Sequence, residues 1–244
     1  MLNIVIPISG SSKFFPAEDY IFPQPLIEIN GRMMIEHVID NLKSISMPHR
    51  FIFILKNKDI QQFHLDDILN LLTANQAVII GLEQQTKGAA CSVLMAIDYI
   101  DSEEALLIVN SDQVIQTDFD KCFHAFNEYD GGTLYFNSAH PRWSYVRLNQ
   151  EHLIIETAEK RPISNHAIAG LYYFARGQDF IESAKRMIKK DTQINGNFYI
   201  APTFNEMVLM NKQLKAIALE KQSYHSFYSP QKIHEYEREL LSQN

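Results

Sequence analysis

The first half of the chain alternates short apolar runs with segments that have a helical pattern. The apolar runs lie at residues 3–8, 50–55, 77–80 and 105–109. Helices are predicted between them at residues 33–45, 63–72 and 87–100. Strands that alternate with helices form a parallel sheet with right-handed crossovers. The pattern therefore predicts an α/β fold, with a Rossmann-like, mostly parallel mixed sheet that carries helices on both faces.

The second half, from about residue 131, has a different pattern. Strand-like segments with polar interruptions lie at residues 132–137, 144–148, 153–157 and 168–174, and a late strand lies at 215–219. Helices are predicted at 178–189, 202–211 and 230–241. The sequence contains no repeat, low-complexity tract or linker, so we expect a single domain over residues 1–244, with halves 1–130 and 131–244.

The strand order selects the loops that are expected to bind a ligand. In open α/β sheets, ligands bind outside the carboxyl ends of the parallel strands. Residues 9–16, 81–90 and 110–113 follow three of the predicted strands. These three loops are therefore the predicted ligand-binding loops.

The formal net charge of −7 argues against a nucleic-acid partner. Nucleic-acid binding needs clustered Lys and Arg, which the acidic composition does not favour. No segment is long and apolar enough for a membrane span, and the opening segment is a predicted strand that lacks the features of a signal peptide. We expect a cytoplasmic protein that acts on small molecules, with no nucleic-acid or membrane partner. The sequence leaves open whether it forms a homo-oligomer.

Small polar residues fill the loop after the first predicted strand: Ser9, Gly10, Ser11, Ser12 and Lys13. Such a turn lets backbone N–H groups face a phosphate, and the lysine adds a mobile positive charge. Taken alone, the same residues also fit an ordinary turn. The loop is therefore a candidate phosphate site.

A second candidate lies at the predicted start of the helix over residues 87–100. Lys87, Gly88 and Ala89 would allow a planar ring or phosphate to approach the helix closely, and free N–H groups there would bind anions. Gln85 offers both a donor and an acceptor to a nucleobase. The alternative interpretation is a helix start that packs tightly on the sheet.

The remaining candidates are two carboxylates, a lysine and a tyrosine. Asp112 follows a buried strand, where it could hold a divalent cation between phosphates or simply cap the next segment. Glu159 and Lys160 lie at a strand end, where they could bind a sugar hydroxyl and a phosphate or form a surface ion pair. Tyr145 could contact a sugar or belong to the core of the second half.

Together, the order of these motifs resembles that of the sugar-phosphate nucleotidyltransferase family, typified by glucose-1-phosphate thymidylyltransferase. The segments that carry the resemblance are Gly10–Phe14, Gln24-Pro25-Leu26, Lys87–Ala90, Asp112, Glu159–Pro162, Gly170-Leu171-Tyr172 and Ser229-Pro230. The resemblance covers nearly the whole chain and looks closest to the branch found with bacterial capsule and surface-polysaccharide genes. It implies the nucleotide-diphospho-sugar transferase fold, with residues 1–130 binding the nucleotide and residues 131–244 the sugar.

The resemblance implies an activity and assigns roles to the candidate residues. An NTP would transfer its nucleotidyl group to a sugar or polyol phosphate and release pyrophosphate, with Mg²⁺ as the expected cofactor. Lys13, Gln24 and Asp112 would be catalytic, and Asp112 would also bind the metal. Nucleotide binding would fall to the loop of Ser9, Gly10, Ser11 and Ser12 and to Gln85, Lys87, Gly88 and Ala89, and sugar-phosphate binding to Tyr145, Glu159, Lys160 and Gly170.

Three positions depart from the family pattern. Lys13 replaces an arginine, Gln24 replaces a lysine, and Ser226 stands where the family has a second metal-binding aspartate. Each departure removes charge or bidentate binding from a phosphoryl-transfer site. The sequence therefore also allows a catalytically impaired regulatory protein that binds a nucleotide or nucleotide sugar. A glycosyltransferase of related fold ranks third, since Ser111-Asp112-Gln113 lacks the usual Asp-x-Asp.

Overall fold

The computed structural model describes residues 1–10, 12–16, 18–220 and 222–242, which fold into the strands and helices bounded here. The strands are β1 (Leu2–Pro7), β2 (Glu28–Ile29), β3 (Arg32–Met33), β4 (His49–Lys56), β5 (Val78–Leu82), β6 (Ala105–Val109), β7 (Gln113–Ile115), β8 (Gly131–Asn137), β9 (Ser144–Leu148), β10 (Ile154–Glu159), β11 (His166–Phe174), β12 (Leu214–Ala218) and β13 (Tyr224–Ser226). The helices are α1 (Met34–Leu42), α2 (Asn57–Phe63), α3 (Leu65–Leu72), α4 (Ala89–Leu94), α5 (Ile97–Ile100), α6 (Phe119–Phe126), α7 (Gly177–Lys189), α8 (Ala201–Leu209) and α9 (Pro230–Ser242). Within the described ranges, no helix has the length and apolar character needed to cross a membrane.

One mixed sheet passes through both halves of the chain. Strands β5, β4, β1 and β6 lie side by side in that order and run parallel to one another. Strand β11 pairs with β6 in the antiparallel direction and continues the sheet into β8, β9, β10 and β12. The predicted α/β fold with a mostly parallel mixed sheet is confirmed.

Alternating side chains of β1 explain why helices cover both faces of the sheet. Ile4 and Ile6 point into one apolar cluster, which includes residues of α1, α3 and α6. Val5 points into the other cluster, which includes residues of α4, α7 and α8. Because both faces are buried, the strand is a continuous apolar run rather than an alternating one.

A two-residue turn leads into α1. Asn30 and Gly31 join β2 to β3, and both adopt the left-handed region, with φ values of 49° and 77°. Two successive positive φ values suit the type I′ turn, for which Asn-Gly is a preferred pair. The Asn-Gly pair, a turn signal in the sequence, thus forms the turn between β2 and β3.

Two predicted helices are interrupted in the structure. The segment 87–100 contains α4 and α5, because the chain tightens between them: the N–H groups of Met95 and Ala96 donate to carbonyls three residues back. The segment 63–72 is divided at His64, whose φ of 51° separates the end of α2 at Phe63 from the start of α3 at Leu65. Helices α2 and α6 were not predicted from the sequence.

Strands β7 and β13 were also missed. Each has three residues, and they pair only with each other in an antiparallel ladder that matches Ser226 with Gln113. No local pattern marks such short segments, because their hydrogen bonds join residues more than 100 positions apart. This small ladder fixes the relative positions of Asp112 and the C-terminal region.

Truncating Phe204 is expected to destabilise the fold strongly. Its ring is fully buried on α8 and packs against the rings of Tyr172 and Phe174, with centroids 5.8 and 5.2 Å away. We expect Phe204→Ala to lower the free energy of unfolding by about 3–5 kcal/mol in urea titrations, since the cavity left behind collapses only in part.

Leu209→Ala, on the same helix, is the matched control. Leu209 is 67% exposed, so its truncation is expected to change the free energy of unfolding by less than about 0.5 kcal/mol. Equal losses in the two variants would contradict the assignment of the α8 face that packs on the sheet.

Candidate active site

A cleft of about 570 Å³ lies at the carboxyl ends of the parallel strands, which is within the size range of small-ligand sites. We call it the first cleft. Residues of several loops line it: Pro7, Ser9, Gly10, Lys13, Gln85, Thr86, Gly88, Ala89, Ser92, Asn110, Ser111, Asp112, Lys160, Asn195, Asn197 and Tyr199. The structure therefore brings together the three loops that the sequence selected. Ser11 lies outside the described residues.

A chain of hydroxyl groups joins the loop after β1 to the start of α4. The Oγ of Ser9 is hydrogen-bonded to the Oγ of Ser92 at 2.9 Å, and the Oγ1 of Thr86 is hydrogen-bonded to the same atom at 2.6 Å. Ser9 and Ser92 are almost fully buried. Their hydrogen bonds hold two walls of the first cleft at a fixed separation.

Residue 88 can only be glycine in this structure. Gly88 has a φ of 101°, and a Cβ there would lie 2.5 Å from the carbonyl oxygen of Phe198. The N–H of Ala90 donates to that oxygen at 3.0 Å, and the N–H of Phe198 donates to the carbonyl of Lys87 at 2.8 Å. The expectation of free N–H groups at this helix start is therefore wrong for Ala90.

The same contact brings a loop of the second half into the first cleft. Asn195 and Gly196 form a left-handed turn, with φ values of 52° and 77°, and Ile194 pairs with Asn197 across it. Asn195, Asn197 and Tyr199 then line the cleft. No role was predicted for these residues, although the Asn-Gly dipeptide at 195–196 is a turn signal of the same kind as Asn30-Gly31.

Asp112 lies at the centre of the site and is partly buried. The amide Nε2 of Gln24 donates to its Oδ2 at 3.4 Å. Burial raises the pKa of the Asp112 carboxyl, and the hydrogen bond from Gln24 acts in the opposite direction. Two residues predicted to be catalytic are thus in contact, although 88 positions separate them.

Ser226 lies beside Asp112 in the structure. It pairs with Gln113 in the β7–β13 ladder, and the N–H of Phe227 donates to the carbonyl of Asp112 at 2.7 Å. Tyr224, on the same strand, has a hydroxyl whose pKa is raised well above its usual value by burial and by the negative charge of Asp112. Here a serine occupies the position next to the aspartate, so the side chains at this point carry a single carboxylate.

The donor set around Asp112 fits a cation that a substrate would share. No group of three or more His, Cys, Asp or Glu side chains gathers as a metal site within the described ranges. Mg²⁺, however, is commonly held by one or two carboxylates together with substrate phosphates and water. One carboxylate beside an amide and a hydroxyl is compatible with that mode of binding.

A second cleft, of about 630 Å³, adjoins the first, because Pro7, Gly10 and Ser111 line both. Its other lining residues include Ser12, Gln24, Phe22, Lys56, Lys58, Asp59 and Phe63. Two of the predicted site residues, Ser12 and Gln24, therefore face this second cleft rather than the first. The sequence analysis gave no role to Lys56, Lys58 or Asp59.

Lys160 and Glu159 lie at the end of β10. Lys160 lines the first cleft, and its Nζ stands over the ring of Tyr199, 4.5 Å from the centroid. The hydroxyl of Ser144 donates to the carboxylate of Glu159. Burial raises the pKa of Glu159. A sugar-binding role for Glu159 stays a prediction.

Glu159 and three other predicted site residues do not line the first cleft. Tyr145 is fully buried and its hydroxyl donates to the carbonyl of His140 at 2.6 Å, so the structure places it in the core of the second half, the alternative to a sugar contact. Gly170 is buried beneath Asn110, to whose N–H its carbonyl oxygen is bonded at 2.9 Å. Lys87 is exposed outside the lining, and only its backbone joins the contact with Phe198.

Comparisons with known proteins agree with this geometry. Residues 19–221 match the family model described as Nucleotidyl transferase. The chain is 29% identical over 156 residues to the Bifunctional protein GlmU of Methanocaldococcus jannaschii, a match over 62% of this chain and 35% of the relative. The chain thus spans about a third of the length of that curated relative.

Solved structures share the fold over nearly the whole chain. The nucleoside-diphosphate-sugar pyrophosphorylase of Vibrio cholerae superposes with a TM-score of 0.83 at 24% identity, over 96% of this chain and 99% of that one. The inositol-1-phosphate CTP transferase of T. maritima superposes with a TM-score of 0.77 at 14% identity, over 98% and 94% of the two chains. Since the family model covers most of the sequence and the predicted loops meet at one cleft, the chain belongs to the nucleotidyl transferase family.

Proposed function

We propose that this protein transfers a nucleotidyl group from an NTP to a phosphorylated sugar or polyol. A phosphate oxygen of the acceptor attacks the α-phosphorus and forms a new P–O bond. The bond between the α-phosphorus and the oxygen that bridges to the β-phosphate breaks, and its electron pair leaves with pyrophosphate. The observation that supports this function is the convergence of the loop after β1, Gly88 and Asp112 on one cleft of suitable size.

The nucleoside would bind between the loop after β1 and the start of α4. Gly88 and Ala89 present a wall of small residues, along which a planar base could lie. Gln85 is exposed at the same wall and offers an amide to the edge of a base. The hydroxyl chain from Ser9 to Thr86 would keep this slot open at a constant width.

Positive charge near the phosphates would come from Lys13 and from a divalent cation. Mg²⁺ held by Asp112 and the triphosphate would offset the charge of the phosphates when it is bound. Lys13 is exposed in the loop after β1 and lines the first cleft, where its mobile side chain can reach an anion. Gln24 would orient the Asp112 carboxylate through its hydrogen bond.

The acceptor would bind at the other end of the first cleft. Lys160 offers a cation to its phosphate, and Asn195, Asn197 and Tyr199 surround the remaining space with groups that can bind hydroxyls. Two structural neighbours are a nucleoside-diphosphate-sugar pyrophosphorylase and an inositol-1-phosphate CTP transferase, which supports a sugar or polyol phosphate as the acceptor. We propose a role in precursor synthesis for surface polysaccharide in the cytoplasm.

A second candidate function is ligand binding without turnover. Gln24 and Ser226 both lie next to Asp112, so the centre of the site has one carboxylate and neutral neighbours. A site of this composition could bind a nucleotide or nucleotide sugar and regulate another protein. It would then show ligand-induced thermal stabilisation but no pyrophosphate release.

Replacing Asp112 with asparagine is expected to abolish most of the activity. The variant keeps the shape of the side chain but removes the charge that would hold Mg²⁺. We expect pyrophosphate release, assayed with each NTP against a panel of sugar and polyol phosphates, to fall by about 100-fold or more.

Asp67→Asn is the control for Asp112→Asn, since Asp67 is a largely exposed acid on α3 that faces His64. We expect wild-type rates from it. Wild-type turnover in the Asp112→Asn variant would show that Asp112 is not required for the reaction.

Lys160 and its neighbour Arg161 make a matched pair for the acceptor site. Lys160 lines the first cleft, whereas Arg161 is exposed and pairs with Glu156. We expect Lys160→Met to raise the KM for the phosphorylated acceptor by roughly tenfold, the size of one charge-assisted hydrogen bond, and to leave the KM for the NTP unchanged. Arg161→Met should change neither constant, and an equal effect of both variants would refute the assignment.

The double variant Gln24→Lys, Ser226→Asp separates the two candidate functions. If the protein is an active enzyme adapted to its own substrate, the two charged residues should lower its rate, because a lysine at position 24 would compete with Mg²⁺ for Asp112. A large gain in pyrophosphate release from an inactive wild-type protein would instead identify a decayed enzyme. The wild type and the double variant are assayed over a range of Mg²⁺ concentrations.

A further inference from the structure

Two lysines that the mechanism above does not use line the second cleft. Lys56 ends β4 and is partly buried, and Lys58 lies in the first turn of α2 and is exposed. No hydrogen bond or ion pair to another described residue engages either ammonium group. By contrast, Lys190 and Lys212 each pair with a carboxylate at 2.7 and 3.0 Å. Two cations that face one cleft without a contacting acid indicate a site for an anion.

One acid, Asp59, shares the cleft. It is almost fully buried, and its burial raises the pKa of its carboxyl, while the charges of Lys56 and Lys58 act in the opposite direction. The negative charge of a single carboxylate neutralises the positive charge of at most one of the two lysines. The second cleft therefore keeps a net positive charge, although the protein as a whole has a formal charge of −7.

The second cleft is continuous with the first. Gly10 and Ser111 line both, and Gln24 reaches from the second cleft to Asp112 in the first. A chain of phosphates that passes Asp112 could therefore extend into the second cleft without leaving the protein surface. The leaving group of the proposed reaction is such a chain.

The first cleft offers little positive charge for that leaving group. Its lysines are Lys13 and Lys160, and Lys160 lies at the acceptor end, over the ring of Tyr199. When the bond to the α-phosphorus breaks, negative charge develops on the bridging oxygen and moves onto the departing pyrophosphate. Stabilising that charge requires fixed cations near the β- and γ-phosphates.

We propose that the second cleft is the pyrophosphate subsite, in which Lys56 and Lys58 bind the β- and γ-phosphates of the NTP and the pyrophosphate that is released. This inference rests on the proposed nucleotidyl transfer. It assigns the two lysines as binding residues for the leaving group and leaves the nucleoside in the first cleft.

A nucleobase is the alternative occupant of the second cleft, because aromatic side chains line it. The rings of Phe22 and Phe63 lie 5.9 Å apart at its wall, and a base could stack there. In that case the lysines would affect the binding of nucleoside monophosphates. The charge of the cleft and its continuity with Asp112 favour pyrophosphate, and the experiment distinguishes the two.

The test is calorimetric titration of the full-length protein with inorganic pyrophosphate and, separately, with each nucleoside monophosphate. We expect Lys56→Gln, Lys58→Gln to weaken pyrophosphate binding by roughly tenfold or more, because charge-assisted contacts are lost. Monophosphate affinities and Tm should not change. Asp59→Asn, which removes the opposing charge, should strengthen pyrophosphate binding.

The control is Lys185→Gln, Lys189→Gln, which removes two exposed lysines of α7 and should leave all affinities unchanged. Equal weakening in the control, no pyrophosphate binding by the wild type, or a loss of monophosphate binding in the Lys56, Lys58 variant would each overturn the inference. A turnover assay of the wild type tests the proposed reaction separately. Turnover that does not depend on Lys56 and Lys58 would refute the pyrophosphate subsite alone. Absence of turnover with every NTP would refute the proposed reaction itself.

Discussion

The site depends on one close approach between backbones from the two halves of the chain. Gly88 and Phe198 lie so near each other that a single added carbon at residue 88 would overlap the carbonyl of Phe198. Two hydrogen bonds, from Ala90 and from Phe198, close the contact on either side. Because of it, the short loop that carries Asn197 and Tyr199 stands opposite the loop after β1, and the first cleft has two walls.

Scarcity of charge is the second constraint on the site. Asp112 is the one carboxylate at its centre in the described residues, and its neighbours Gln24 and Ser226 are neutral. Positive charge is spread instead over separate lysines at the margins of two adjoining clefts, Lys13 and Lys160 in one and Lys56 and Lys58 in the other. A substrate that brings its own phosphates and metal ion would complete the electrostatics of such a site.

Structure also separates residues that chemistry alone would group together. Tyr145 and Glu159 lie at adjacent positions of two paired strands, since Ser144 pairs with Glu159 and Tyr145 with Ala158. Successive side chains of a strand point to opposite faces. Tyr145 therefore packs inside, while Ser144, on the other face, reaches Glu159. Lys160 follows the strand end with a left-handed φ of 53° and lines the cleft. The types of residues in a sequence segment do not show to which face of the sheet each side chain points.

The sequence by itself determined the parallel half of the sheet, since apolar runs of β1, β4, β5 and β6 are local features that burial on both faces requires. It also determined the turn at Asn30-Gly31 and the loops that meet at the carboxyl ends of the strands. Only the tertiary structure decided that Gln24 touches Asp112, that Ser226 lies beside it, and that Lys56 and Lys58 face an adjoining cleft. These contacts join residues far apart in the chain, and their geometry follows from the packing of whole elements rather than from any local preference.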